Sequence, residues 1–316
     1  MQYINAQSFS HDQSEKTALL IVNLGTPAAP TPKALRRYLK TFLWDPRVVE
    51  LPRPLWWLIL NGVILSIRPF RSAKAYQKVW TERGSPLLLH TEDQSKALEA
   101  ALTSETSAFD IVAYAMRYGD PSIEEVIDGL RKQHVTRLLV LPLYPQYSAT
   151  TTASVFDAVS DAMSRHRWLP ELRFINQYHD TDAYIHACAE QIRRYRAEHG
   201  SSDILMFSFH GIPKRYLMNG DPYHCQCLKS ARLIAEALQL NSTEYMTCFQ
   251  SRFGREEWLK PYTDHSLEAL AKSGTASVQV FCPGFASDCL ETIEEIGMEN
   301  RDVFLQAGGK RYDYIP

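Results

Sequence analysis

The chain has 316 residues, of which 45% are hydrophobic and 22% charged, and its formal net charge is -2. These proportions are those of an ordinary globular protein, and the length exceeds what one hydrophobic core normally fills, so two domains are expected. A charge this close to zero argues against nucleic acid or another polyanion as a partner.

The six cysteines form no disulfide-dense pattern in a chain of this length, and the polar N-terminal residues contain no signal-peptide core. Both features predict a reducing, cytoplasmic compartment. Residues 1–17 are expected to form a flexible tail. The sequence has no glycine-rich phosphate-binding loop, so no nucleotide cofactor is indicated. No other organic cofactor is expected.

Apolar runs alternate with helical patterns along the chain, which predicts βαβ units and parallel sheets. The fold class is therefore α/β, with two similar Rossmann-like, doubly wound domains over 18–175 and 176–316, and with the last residues as candidates to return to the first domain. The predicted strands are 18–24, 109–115, 135–141, 172–177, 203–209, 243–249 and 277–282. The predicted helices are 31–43, 72–81, 91–102, 122–133, 151–164, 181–198, 226–238 and 263–272.

An unusually apolar segment, residues 55–67, follows the first predicted helix and is flanked by prolines. It is shorter than the roughly 20 residues that a membrane-spanning helix needs. Two interpretations stay open: a buried core helix, or an apolar lip over 42–70 at the edge of a hydrophobic pocket. A lip would also predict a peripheral membrane contact, because apolar helices can lie in the bilayer interface.

The two halves of the chain repeat a short pattern. Residues 19–27 and 205–213 each contain an apolar strand followed by glycine, one further residue and proline. A second repeated strand-to-proline exit later in each half favours duplicated domains. The duplication predicts a cleft between two strand-end faces, with His210 on one wall and the apolar Leu24 near the other. Such a cleft suits a flat, hydrophobic ligand.

His210 and Glu291 are the strongest candidates for chemistry. His210 ends an apolar strand that runs into a His-Gly turn, and Glu291 lies in the first turn of a helix that follows another apolar strand. Ligands of open α/β sheets bind at the carboxyl ends of the strands. An imidazole and a carboxylate that meet there can bind a divalent metal or transfer protons. The alternative for His210 is a core histidine that is hydrogen-bonded to a carbonyl group.

Glutamates recur at every fourth position from Glu291, at Glu295 and Glu299, and would form one acidic stripe on a helix. Hard oxygen ligands suit hydrated divalent cations, so the outer two glutamates are candidates for metal delivery toward Glu291. A solvated acidic face is the alternative.

Cysteine chemistry has weaker support. Cys225 and Cys227, together with Cys188 and Cys248, supply four sulfur atoms, but their spacing is not that of a common metal site. Free cysteines are therefore preferred over an iron–sulfur cluster, and Cys289 is expected to be a small buried thiol.

Short motifs recur in nearly the whole chain, at residues 23–27, 84–86, 117–118, 145–148, 208–213, 220–223, 249–251, 258–261 and 283–292. These motifs, in this order, resemble those of the ferrochelatase family, whose members insert ferrous iron into protoporphyrin IX to form protoheme. The resemblance implies two Rossmann-like domains with a porphyrin cleft between them, as in chelatases. It also implies that iron is a substrate. Relatives usually continue past Pro316 into a last helix, so a shortened chain is expected.

The resemblance implies that His210 and Glu291 are the paired catalytic and iron-binding residues. Aromatic, polar and cationic groups near strand ends would hold the porphyrin ring and its carboxylates. A chelatase for coproporphyrin or another metal, and a non-catalytic heme or metal carrier, stay open as alternatives, and a monomer is expected. The candidate porphyrin-binding residues are Leu24, Lys78, Arg117, Tyr118, Tyr144, Tyr147, Ser148, Gln250, Ser251 and Trp258.

Overall fold

The computed structural model describes residues 12–102, 108–254 and 256–316. Most of the tail expected over 1–17 lies outside these residues, and its last two residues, Lys16 and Thr17, already belong to the first strand. The chain divides into two compact units. The first unit consists of Met1–Leu143 and Ala149–Asn176, and the second consists of Tyr144–Ser148 and Gln177–Pro316.

The first unit contains a four-stranded parallel sheet in the order β2-β1-β3-β4. β1 is almost entirely buried, as expected for a central strand of a sheet that is covered on both faces. The strands are β1 (Lys16–Asn23), β2 (Ile111–Met116), β3 (Val135–Pro142) and β4 (Glu171–Phe174). The helices are α1 (Pro32–Trp44), α2 (Arg53–Ile59), π1 (Leu60–Ile64), α3 (Leu65–Val79), α4 (Pro86–Leu102), α5 (Ile123–Lys132), π2 (Ala149–Ala153) and α6 (Ser154–Ser164).

The second unit repeats this topology in a four-stranded parallel sheet of order β6-β5-β7-β8. The suggestion that the last residues return to the first domain is wrong, because β8 pairs with β7. The strands are β5 (Ile204–His210), β6 (Tyr245–Gln250), β7 (Ser277–Phe281) and β8 (Arg311–Ile315). The helices are α7 (Asp182–His199), α8 (Lys214–Met218), α9 (Tyr223–Ala237), α10 (Thr263–Lys272), π3 (Glu291–Glu299) and α11 (Asn300–Gln306).

The repeated glycines have the same steric reason in both units. A Cβ atom on Gly25, just after β1, would lie 1.8 Å from the carbonyl oxygen of Tyr118. A Cβ atom on Gly211, just after β5, would lie 2.9 Å from the carbonyl oxygen of Gln250. In each unit, the backbone of the adjacent segment therefore lies too close to the glycine for any side chain, and only glycine fits.

The apolar segment that follows α1 is buried on one side and exposed on the other, and its role as a lip over a pocket stays a prediction. Trp56 and Leu60 are buried with Leu39, Leu43 and Leu65, and the Trp56 indole N–H donates a hydrogen bond of 2.7 Å to the Leu43 carbonyl oxygen. The opposite side of the same helices exposes large apolar side chains. At least half of each of these side chains reaches solvent: Leu55, Trp57, Leu58, Val63, Ile67 and Phe70. Among the described residues, no helix is long and apolar enough to cross a membrane.

Candidate active site

His210 is the last residue of β5, and its side chain is half-buried at the carboxyl end of the sheet. Its Nδ1 atom lies 2.6 Å from the carbonyl oxygen of Gly211. A carbonyl oxygen can only accept a hydrogen bond, so Nδ1 carries the proton and Nε2 keeps its lone pair in the neutral ring. The Trp258 ring lies 6.4 Å from the imidazole between centroids. His210 therefore makes the predicted carbonyl contact with one nitrogen and keeps the other as a base or ligand.

Glu291 begins helix π3, which follows the loop after β7. The predicted α-helix is here a π-helix, a rare form that occurs frequently at functional sites. Gln250 links the two candidate residues, because it pairs with His210 in the β5–β6 register and its Nε2 donates to the Glu291 carbonyl oxygen at 3.4 Å. The fold thus brings the elements that carry His210 and Glu291 together within the second unit.

Glu295 does not lie on a solvated face. Its carboxylate accepts hydrogen bonds from the Ser251 backbone N–H, at 2.7 Å, and from the Ser251 hydroxyl. Burial raises the pKa of Glu295 to about 7, against the lowering effect of these hydrogen bonds, and repulsion from Glu291 and Glu299 adds to the increase. The side chain of Glu299 is exposed, so the solvated interpretation fits this residue alone.

A cavity of about 230 Å³ opens beside the acidic stripe, within the second unit. The Asn300 side-chain oxygen is buried and has no hydrogen-bond partner in the described structure. Among all the residues that the structure describes, no group of three or more His, Cys, Asp or Glu side chains is arranged to hold a metal ion. The lining residues are Phe249, Gln250, Ser251, Arg252, Thr263, Asp264, Glu295, Glu299, Asn300 and Val303.

In the first unit, Arg117 and Tyr118 belong to a hydrogen-bonded network around Asp45. The Arg117 guanidinium lies 2.6 Å from the Asp45 carboxylate, which also accepts from the Tyr118 hydroxyl at 2.7 Å and the Ser154 hydroxyl at 2.6 Å. Burial opposes ionisation of Asp45, but the donors from Ser154, Tyr118 and Arg47 and the charge of Arg117 together lower its pKa. The network gives Arg117 and Tyr118 a structural role, and their contact with a ligand stays a prediction.

The other candidates have varied surroundings. Leu24 is half-buried, and its carbonyl oxygen accepts from the Tyr118 N–H at 2.8 Å. Lys78 is exposed in the last turn of α3, whereas Tyr144 is half-buried.

Residues 144–148, assigned to the second unit, are attached to it by hydrogen bonds. The Tyr147 N–H donates to the Gln226 side-chain oxygen at 2.7 Å. The Ser148 hydroxyl donates to Asp221 at 2.9 Å. These contacts explain why a short segment between β3 and π2 belongs to the second unit.

The environments of the buried Cys227 and Cys289 favour the neutral thiol form. Cys289 is buried, as predicted, and burial raises its pKa, with further contributions from the Glu291 charge. Cys227 is also buried, and burial raises its pKa, while the neighbouring Cys225 is exposed. Metal binding needs a thiolate, so the Cys227 environment disfavours a cluster. The absence of an iron–sulfur cluster stays a prediction.

Three polar residues of these networks escaped prediction. Asp45 follows α1 at a position with no distinguishing motif, and it meets Ser154 only because of the tertiary fold. Asn300 is the residue after Glu299, the last glutamate of the acidic stripe, but the four-residue spacing of the stripe does not include it. Asp264 reaches the cavity from α10, which no local pattern connects with π3.

The fold of the chain is that of metal chelatases. SirB from Bacillus subtilis with Fe³⁺ is similar with a TM-score of 0.54, at 14% identity, over 95% of this chain and 88% of that chain. The sirohydrochlorin chelatase SirB in complex with cobalt is similar with a TM-score of 0.52, at 12% identity, with the same coverage. Identities this low show a shared fold alone.

Sequence comparison gives the family. The family profile described as Ferrochelatase matches residues 16–316. Ferrochelatase of Teredinibacter turnerae is 62% identical over 316 residues, and that of Idiomarina loihiensis is 60% identical over 315 residues; each match covers 100% of this chain and 86% of the relative. The chain belongs to the ferrochelatase family. It is a metal chelatase, an enzyme of the lyase class, and the hypothesis of a non-catalytic carrier is not favoured.

Proposed function

We propose that the second unit supplies the iron and proton chemistry with which this chain inserts ferrous iron into protoporphyrin IX to form protoheme. The position of His210 carries this proposal, because its side chain lies at the carboxyl end of β5 and its register partner on β6, Gln250, donates a hydrogen bond to the Glu291 carbonyl oxygen. The free-base porphyrin has two pyrrole N–H protons. Both leave as Fe²⁺ binds the four ring nitrogens, so the reaction needs a proton acceptor and a place for the arriving ion.

His210 is the proposed proton acceptor. The hydrogen bond from Nδ1 to the Gly211 carbonyl fixes the tautomer and the orientation of the ring, so that Nε2 accepts the proton. The resulting imidazolium keeps its Nδ1 donor, and no new partner is needed on that side. A neutral imidazole has a suitable basicity for this step near pH 7.

Glu291 is the proposed partner of His210 and the iron ligand. A carboxylate is a hard oxygen donor that suits Fe²⁺, and one imidazole with one carboxylate holds the ion only in part. The described residues contain no larger group of His, Cys, Asp or Glu for a metal. A site with few protein ligands leaves coordination positions for the porphyrin nitrogens, as release of a substrate ion requires.

Glu295 and Glu299 are the proposed route by which the ion reaches Glu291. Together with Asp264 they give the cavity beside π3 three carboxylates. Oxygen donors of this kind interact with hydrated divalent cations. Glu295 lines the cavity and is largely buried, which supports a cation route over a merely solvated face.

The porphyrin contacts are proposed from position alone. Trp258 has the strongest support, because its ring lies near the His210 imidazole. The remaining proposed contacts are Leu24, Lys78, Arg117, Tyr118, Tyr144, Tyr147 and Ser148.

The exposed apolar side of α2, π1 and the start of α3 is a proposed docking surface for an anionic membrane. Large exposed apolar patches mark interaction surfaces, and this one includes Trp57, Leu58 and Phe70. Residues 51–81 contain five Lys and Arg residues and no Asp or Glu, which complements anionic lipid headgroups. A peripheral contact would place the enzyme where an apolar porphyrin partitions.

Zinc insertion tests the proposed reaction, because zinc porphyrin is fluorescent and zinc does not oxidise. The purified chain should insert Zn²⁺ into protoporphyrin IX with a higher kcat/KM than into coproporphyrin III, which carries four propionates instead of two. A preference for coproporphyrin would support the alternative substrate. Failure to metallate either porphyrin would refute the proposed reaction.

A further inference from the structure

Two consecutive residues at the end of β6 hold helix π3. Gln250 Nε2 donates to the Glu291 carbonyl oxygen at 3.4 Å, and Ser251 donates its N–H, at 2.7 Å, and its hydroxyl to the Glu295 carboxylate. Successive side chains of a strand normally point to opposite faces of the sheet. Ser251 departs from this rule, because its φ of 64° lies in the left-handed region, which is uncommon outside glycine. The turn lets both residues contact the same helix.

The Gln250 amide is buried and engaged on both sides. Its Oε1 accepts from the Ser208 hydroxyl, at 2.7 Å, and from the Cys282 thiol, at 3.6 Å. Ser208 is on β5, and Cys282 follows β7, so donors from two further strands fix the orientation of the amide. The nitrogen is thereby directed at π3. A buried polar network with satisfied partners is rigid and specifies one arrangement.

The backbone of Gln250 reaches the other catalytic candidate. Gln250 pairs with His210 in the β5–β6 register, and the Gly211 N–H donates to the Gln250 carbonyl oxygen at 2.8 Å. One residue therefore contacts the His-Gly turn through its backbone and the first residue of π3 through its side chain. Gln250 therefore connects the strand that carries His210 with the helix that carries Glu291.

We propose that Gln250 and Ser251 are positioning residues, which set the placement of Glu291 and Glu295 relative to His210. This inference rests on the proposed function, and it gives the two residues a different task from the porphyrin contact predicted from the sequence. Neither residue needs to touch the reacting atoms. Their loss should lower the turnover rate and leave substrate binding nearly unchanged, because a misplaced acid, base or ligand slows the chemical step.

Gln250→Met tests the proposal, because methionine has a similar length and no amide. Gln279 offers a matched control. It is a buried glutamine on β7 whose amide is also engaged, with Arg196 at 2.9 Å and the Gly200 carbonyl at 2.8 Å. It pairs with Leu205, at the opposite end of the sheet from His210. The two substitutions therefore remove comparable buried hydrogen bonds near to and far from the candidate site.

We expect Gln250→Met to lower kcat for zinc insertion by about 10- to 100-fold, with the KM for porphyrin and for metal within about threefold. Gln279→Met should lower the melting temperature and keep kcat. Ser251→Gly, which fits the left-handed backbone and keeps the N–H while it removes the hydroxyl, should lower kcat by a smaller factor in the same direction.

An unchanged kcat in Gln250→Met, or an effect on the porphyrin KM alone, would overturn the positioning role. An equal loss of kcat in Gln279→Met would also overturn it, because the effect would then come from general destabilisation. If Gln250→Met does not fold, Ser251→Gly decides the question, and wild-type kcat in that variant overturns the proposal. An inactive wild-type chain in the same assay would instead refute the proposed function.

Discussion

Glu295→Gln should stabilise the protein at alkaline pH. The pKa of Glu295 is raised from its ordinary value of 4.5 to about 7, chiefly by burial. A carboxyl group with a raised pKa in the folded state binds more protons there than in the unfolded state. The contribution of Glu295 to the free energy of unfolding therefore falls as the pH rises from about 4.5 to about 7, and it is lowest above that range.

The size of the effect follows from the same pKa values. The interval from 4.5 to about 7 corresponds to about 3 kcal/mol, at 1.36 kcal/mol for each pKa unit. This figure is an upper limit, because the cavity gives the carboxylate some contact with solvent. A glutamine can still accept from the Ser251 N–H, so the neutral side chain fits without a lost backbone hydrogen bond.

Thermal unfolding at pH 5 and pH 8 measures the effect. Glu295→Gln should differ little from wild type at pH 5, and it should be more stable at pH 8 by up to about 3 kcal/mol. Glu299→Gln is the control, since that side chain is exposed and makes the smallest contribution to the raised pKa of Glu295. Its stability difference from wild type should therefore change much less between the two pH values. A Glu295→Gln variant that is equally or less stable than wild type at pH 8 would refute the assigned burial and charge repulsion.

Three further predictions concern activity, membrane binding and stability. Glu291→Gln should abolish metal insertion, while Glu299→Gln should keep kcat and raise the apparent KM for iron by roughly two- to fivefold, as an exposed charge would; an unchanged iron dependence would leave the outer glutamate a solvated residue. Trp57→Ser should reduce co-sedimentation with anionic liposomes at an unchanged melting temperature, whereas Trp56→Ser should lower the melting temperature, because only Trp56 is buried; the reverse pattern would contradict the docking surface. Asp45→Asn should cost about 3 kcal/mol of stability at pH 7, since it leaves a buried network with Arg117 incomplete. The wild-type advantage is present above the unfolded-state pKa of about 4 and disappears as the pH falls through the lower folded-state value, so a deficit that persists unchanged in acid would contradict it.

The sequence predicted the alternation of strands and helices because buried parallel strands leave uninterrupted apolar runs. β8 was not predicted, because its side chains alternate between polar and apolar, as in a half-buried strand, and lack the uninterrupted apolar run from which the other strands were predicted. The apolar segment after α1 shows a different limit. Its composition cannot distinguish Trp56 from its neighbour Trp57, and only the helix phase buries one and exposes the other.

The sequence identified those candidate site residues that a short local pattern marks. His210 has a recognisable position, because a strand that runs into a His-Gly turn places its last side chain at the sheet edge. The hydrogen bonds from Ser251 to Glu295 could not be predicted, because they depend on the left-handed backbone conformation of Ser251 and on two elements that are distant in sequence. The i, i+4 spacing found the glutamates, but it could not tell a buried carboxylate from an exposed one.

The iron-insertion rate of His210→Ala tests the central claim most directly. The base assignment predicts a fall in kcat of at least about 100-fold, the usual contribution of a general base. Porphyrin binding, followed by the quenching of its fluorescence, should stay within about threefold of wild type, because the imidazole is proposed to accept a proton and not to hold the ring. Turnover within tenfold of the wild-type rate would contradict the role of His210.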